Sequence, residues 1–222
     1  SRPAYSYVNV NLTPAFRATR TELDIPAVSS IEREFLFLRP IETLVVFDRI
    51  ESTSTTATKA FIAHFETSPT VDAANRVVTA VNGTQALRVN TLVPANPTYR
   101  SIVNEGGQVG QFRLEVEAPG GTQSYFLNVL QAKGATDANV TSSVVDTGTA
   151  YVLTITHPSL GTSSITLQKG RSSAGGTITI AGSTTALTST IQAMSVTDSG
   201  VAWGGAASSQ LPGAPGNLRI VP

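Results

Sequence analysis

The amino-acid sequence predicts an all-β fold, an antiparallel β-sandwich followed by a Gly/Pro-rich C-terminal tail. Strand-like segments with period-2 alternation recur at short intervals, turn residues separate them, and no stretch carries a convincing 3.6-residue period. A chain of 222 residues suits a single large sandwich. Folded compactly, a chain of this size buries about 70% of the surface exposed when unfolded, so it needs no disulfide or metal staple.

The longest apolar feature, "EREFLFLRPIETLVVFDRIEST" from Glu32 to Thr53, holds two strand-like runs around Pro40. In "FLFL" and "LVVF" both faces are apolar, which predicts strands covered on both sides. Pro40 falls between them, where its missing N–H costs no ladder bond. Asp48 and Arg49 point to opposite faces, so they are not simply paired with each other. Asp48 ends a buried run and needs a donor such as a turn N–H or an arginine, in a structural role. The loop "STSTTAT" turns the chain into "KAFIAHFE", whose Phe61, Ala63 and Phe65 face inward. Residues 35–66 read as a three-strand antiparallel meander at the centre of a sheet.

Further on, "NRVVTAV" pairs with "QALRVNTLV" through Asn82-Gly83, a dipeptide that tolerates the positive φ of a tight hairpin. "QFRLEVEA" alternates cleanly, with Phe112, Leu114 and Val116 on a core face and Arg113, Glu115 and Glu117 on a wet one. Pro119 to Gly121 supply turn chemistry, and "TQSYFLNVLQA" reads as the antiparallel partner. "VTSSVVD" pairs with "AYVLTITH" across Thr147-Gly148.

After about residue 133 the strands become shorter and richer in Thr, Ser and Gly, as in "SSITLQKG", "GGTITIAG" and "IQAMSVTD". They read as outer strands of the same sandwich, which places one domain over 1–203 with a subdivision near 133 as the alternative. Residues 204–222 lose periodicity and gather Gly, Ala, Ser and Pro, the composition of a linker or tail. The final "PGNLRIVP" is similar to the first strand of a fibronectin type III-like module.

The 15 basic and 15 acidic residues cancel, so no global field draws nucleic acid or an anionic membrane. Nucleic acid is not an expected partner. No apolar run approaches the length of about 20 residues that a membrane helix needs. The start "SRPAYSYVNV" lacks a signal pattern, which leaves a cytoplasmic chain or one whose targeting segment has been removed as the two expectations. There is no cysteine, which removes disulfides and thiolate chemistry. Low charge and abundant Thr, Ser and Gly match secreted or cell-surface bacterial β-proteins in composition.

Neither histidine, His64 nor His157, has a second histidine near it in sequence, and both read as structural or surface groups. No G-x-S-x-G elbow is present, and the glycine patches "EGGQVG" and "SAGG" read as turns. No catalytic residue, metal ligand or cofactor is therefore assigned. For carbohydrate, an exposed aromatic ring covers the C–H face of a sugar, and arginine binds uronate or sulfate bidentately. Tyr151 alternates with Leu153 and Ile155 and reads as buried. Tyr99 and Trp203 are expected to be exposed, and with Arg88, Arg100 and Arg113 they form the candidate carbohydrate-binding set.

The run from Arg33 to Thr53, followed by "KAFIAHFETSP" and preceded by "AYSYVNVNLTPAF", resembles the C-terminal β-sandwich region of heparinase II/III-like polysaccharide lyases. The resemblance covers roughly residues 4 to 131 and extends more faintly to Trp203. It implies a β-sandwich that packs, in the complete lyase, against a catalytic α/α-toroid. The toroid and the family's zinc and catalytic motifs are not found in this sequence, so this chain is not expected to cleave polysaccharide. Its expected role is a non-catalytic scaffold that contacts acidic polysaccharide and neighbouring domains. The rival is a cell-surface or extracellular fibre protein that self-associates through edge strands or terminal segments. A third reading, a lyase using His64 or His157 with Tyr99, ranks last.

Overall fold

The computed structural model describes residues 4–17, 28–103, 111–170, 175–188, 194–197 and 200–203; for residue 17 and the last two segments it describes backbone alone. The glycine patch at 105–110 and the tail at 204–222, with its fibronectin-like end, lie outside the described residues. The chain divides into two units, Ser1–Thr188 and Ser189–Pro222.

In the first unit the strands form three antiparallel sheets. The middle sheet has seven strands: β1 (Tyr5–Asn11), β2 (Val28–Leu38), β3 (Thr43–Ser52), β5 (Thr70–Asp72), β6 (Val77–Asn82), β7 (Gln85–Val93) and β10 (Gln123–Gly134). Their order is β1-β2-β3-β10-β7-β6-β5. A three-stranded sheet has the order β4-β9-β8, from β4 (Ala60–Phe65), β8 (Thr98–Val103) and β9 (Phe112–Glu117). The five-stranded sheet runs β11 (Thr141–Asp146), β12 (Ala150–His157), β13 (Gly161–Gln168), β14 (Gly176–Ile180) and β15 (Ser183–Leu187) in sequence order. A short helix α1 (Thr13–Arg17) follows β1.

The doubly apolar runs now have their reason. On β3, Val45 and Phe47 join one core with Leu36, Leu127, Leu153, Ile155 and Ile165, between the middle and five-stranded sheets. Val46 and Ile50 join a second core with Phe61, Leu114, Val116 and Phe126, between the middle and three-stranded sheets. The middle sheet is thus the central layer of three. Each buried Leu, Ile or Phe contributes about 1.5–3 kcal/mol, and two such cores hold the outer layers in place. Pro40 sits in a 3-10 turn (Arg39–Ile41) between β2 and β3, as the sequence predicts.

The β6–β7 hairpin forms, with Asn82 opposite Gln85 and Gly83 at φ +59°, so the two-residue loop is Gly83-Thr84. The β11–β12 pair forms as well, with Asp146 opposite Tyr151. Two expected pairings do not form. After β3 the chain leaves the middle sheet, so β2 and β3 pair but β4 joins β9, and β10 takes the place beside β3. Likewise β9 and β10 belong to different sheets; the Pro119-Gly120-Gly121 turn carries the chain between layers rather than closing a hairpin. In both cases alternation correctly marks the strand and its core face, but it carries no information about which sheet lies opposite.

Lys59 helps to hold one of these crossings. Its buried ammonium donates to Ser52 Oγ (3.2 Å) and to the carbonyls of Ala57 (2.9 Å) and Gly121 (2.5 Å), tying two interlayer loops together. In the second unit, β16 (Met194–Thr197) and β17 (Gly200–Trp203) form an antiparallel pair.

Candidate carbohydrate-binding surface

The candidate residues occupy different parts of this framework. Arg100 on β8 and Arg113 on β9 project from the outer face of the three-stranded sheet, where Arg100 lies opposite Glu115. Arg100 Nη1 contacts Glu115 and Glu117, each at 3.2 Å, and Arg113 Nη2 contacts Glu115 at 2.9 Å. The outer face of "FRLEVE" is therefore a solvated rack of two arginines and two glutamates, as the alternation predicts. Both Arg100 contacts use Nη1, and its side chain is 58% exposed.

Arg88 is not part of this rack. It lies half-buried on β7, opposite Gln131, and its nearest acceptor is the Val140 carbonyl at 3.5 Å. Burial pulls its pKa down. Tyr99 departs from the expected exposure: it is half-buried, packs against the core beneath the three-stranded sheet, and burial raises its pKa. Tyr99 pairs with Val116 on β9 and shares its inward face. Trp203 lies opposite Met194 in the β16–β17 pair, and its side chain lies outside the described residues. Of the five candidates, the structure brings together Arg100 and Arg113.

His64 and His157 lie on layers to either side of the middle sheet. His64 is exposed on β4 opposite Arg113, and His157 Nδ1 accepts the Ser159 N–H at 3.2 Å beyond β12. Tyr151 is buried, as expected, in an aromatic group with Phe47 and Tyr125. Lys169 Nζ stands 4.5 Å from the Tyr151 ring centre and 2.8 Å from Asp146.

Two clusters went unnoticed in the sequence. The first joins Arg49 to Glu34 (2.7 Å) and Glu32 (2.8 Å), while Tyr7 donates its phenol O–H to Glu34 (2.9 Å). Burial pushes the Glu34 carboxyl above the usual carboxylate range, against the pull of Arg49 and Tyr7. A charged residue beside an apolar run is the only sequence signal for it. The second is a cleft of about 370 Å³ between the end of β4 and the β6–β7 hairpin, lined by His64, Glu66, Asn82 and Gln85 above Phe65 and Leu87. No local signal marks it, because its two walls belong to different sheets.

A groove of about 410 Å³ beside α1 is lined by Phe16, Ile62 and Lys59, but the Lys59 ammonium already serves three acceptors. Among the described residues, no group of three or more His, Cys, Asp or Glu is placed to hold a metal ion. No helix among them is long and apolar enough to cross a membrane.

No protein-family model and no curated protein matches the sequence. Solved structures do. A heparan sulfate lyase, HepC from Pedobacter heparinus, matches with a TM-score of 0.50 and 15% identity over 66% of this chain and 25% of its own. A heparinase III, the BT4657 gene product, matches with a TM-score of 0.53 and 7% identity over 75% of this chain and 26% of its own. The chain spans about a quarter of the length of either lyase, and at these identities the likeness is one of fold. The resemblance to heparinase II/III-like lyases read from the β2–β4 motifs is thus met by a β-fold that occurs within two such lyases.

Proposed function

We propose that the chain is a non-catalytic β-scaffold of a secreted, bacterial, polysaccharide lyase-like protein, and that the outer face of its three-stranded sheet contacts acidic polysaccharide. The observation that carries this reading is the likeness of fold to two lyases of which the chain spans a quarter. The separation of His64, His157 and inward-facing Tyr99 onto different layers or faces supports a role without chemistry, because general acid–base work needs convergent groups. The exposed side chain of Arg100, beside Arg113, supports anion contact, since guanidinium pairs bidentately with carboxylate or sulfate.

Light scattering coupled to size-exclusion chromatography, with and without uronate-containing polysaccharides, tests the reading. A monomer shifted by a uronate polymer, and no longer shifted after Arg100→Ala plus Arg113→Ala, is the expected result. A second reading, assembly into a surface fibre, draws on β1, an edge strand of the middle sheet that carries the half-exposed Val8. Concentration-dependent polymers formed without glycan would replace the first reading with the second.

A further inference from the structure

The cleft between β4 and the β6–β7 hairpin differs from the arginine rack in its chemistry. Its floor is apolar, with buried Phe65 and half-buried Leu87. Its rim carries four exposed polar side chains, His64, Glu66, Asn82 and Gln85, none with a hydrogen-bond partner among the described residues. At about 370 Å³ it falls in the lower part of the range of small-molecule sites, roughly 300–1,000 Å³.

We propose that this cleft is a saccharide subsite for a neutral pyranose unit. A sugar ring has C–H faces that lie on an apolar floor and a belt of hydroxyls that both donate and accept. The rim supplies both functions: the Asn82 and Gln85 amides and the His64 imidazole donate and accept, and the Glu66 carboxylate accepts two hydrogen bonds. An anionic unit is disfavoured, because Glu66 is the cleft's carboxylate and the ammonium of Lys133, its lysine, already donates to the carbonyls of Gly134 (3.2 Å) and Asp137 (2.8 Å). The site also adjoins the acidic-glycan face, since His64 lies across the β4–β9 pair from Arg113. One polysaccharide could therefore place an acidic unit on the arginines and a neutral unit in the cleft. The inference shares with the proposed function only its class of partner.

NMR titration of the isotopically labelled 222-residue chain separates the two ideas. The probes are short neutral oligosaccharides of hexose or N-acetylhexosamine, and short oligouronates. The expected result is that a neutral oligosaccharide shifts the Gln85 and Asn82 side-chain amides, and that Gln85→Ala or Glu66→Gln each weakens its binding about tenfold. These are exposed positions, so folding survives the changes. Neutral probes that leave those amides unmoved, or variants that bind them like the parent, overturn the subsite. Oligouronates that leave Arg100 and Arg113 unmoved, while neutral probes fill the cleft, sink the acidic-face reading and leave the subsite standing.

Discussion

Asp48 and Arg49 are neighbours on β3, yet they serve different interfaces. Asp48 turns toward the three-stranded sheet, where Arg33, its cross-strand partner on β2, grips it through Nε (2.5 Å) and Nη2 (2.9 Å). Arg33 also lies near the Phe35 and Phe61 rings and keeps 27% of its side chain exposed. Arg49 turns toward the five-stranded sheet, where its Nη1 donates to the carbonyls of Gln168 (2.8 Å) and Gly170 (3.2 Å) while its Nη2 holds Glu32 and Glu34. Glu34 in turn accepts the Gly175 N–H at 3.4 Å. On one face the ions bridge adjacent strands of one sheet; on the other they clamp two layers across more than 100 residues of sequence. The comparison teaches that equal burial does not mean equal reach, and that removing the clamp should cost more than removing the local pair.

The largest effect is expected from Arg49→Ala. It strands Glu34, which is 1% exposed, and releases two carbonyls, so urea unfolding should show a loss of about 3–5 kcal/mol. A loss under about 1 kcal/mol would show that the clamp carries little of the interface. Asp48→Asn should cost less, about 1–3 kcal/mol, because Arg33 can reach water once its partner loses charge. Equal losses in the two variants would erase the distinction between local pair and interlayer clamp.

A third test uses pH. Because burial raises the Glu34 pKa, the folded chain holds a proton there over an interval in which the unfolded chain has released it. Its contribution to stability therefore falls as pH climbs from the unfolded value of about 4.3 through the raised folded value. Relative to the parent, Glu34→Gln should flatten the fall in unfolding free energy as pH rises above the ordinary carboxylate range, and an unchanged slope would mean that Arg49 holds the carboxylate ionised throughout. The smallest effect belongs to the exposed rack: Arg100→Ala should change stability by about 0–1 kcal/mol in thermal unfolding, because its ion pairs are solvent-exposed.

Much of this organisation was legible in the chain. The opposed directions of Asp48 and Arg49, the double cover of β2 and β3, and the wet face of β9 all follow from a period of two, whereas the sequence left the donor to Asp48 open between a turn N–H and an arginine. The candidate site was legible only in part. Arg100 and Arg113 lie on outer positions of neighbouring strands, whereas Tyr99, expected to be exposed, is half-buried because it shares the inward face of Val116. The cleft residues were invisible as a group, because Glu66 and Gln85 meet only through the packing of two sheets.

What the sequence by itself determined is local: where strands run, which side of each is apolar, and where turns fall, since backbone geometry alternates side chains whatever the strand packs against. The glycines at 175 and 176 show the limit of that local reading. They appear in sequence as a plain turn, yet a Cβ on Gly176 would run into the Thr166 carbonyl oxygen on the neighbouring strand, a constraint that exists only once β13 and β14 have paired. The tertiary structure alone decided that β4 and β9 leave the middle sheet, that Arg49 reaches the third layer, and that a cleft opens beside the β6–β7 hairpin. Each depends on contacts between residues far apart in the chain, and strand periodicity has no term for them.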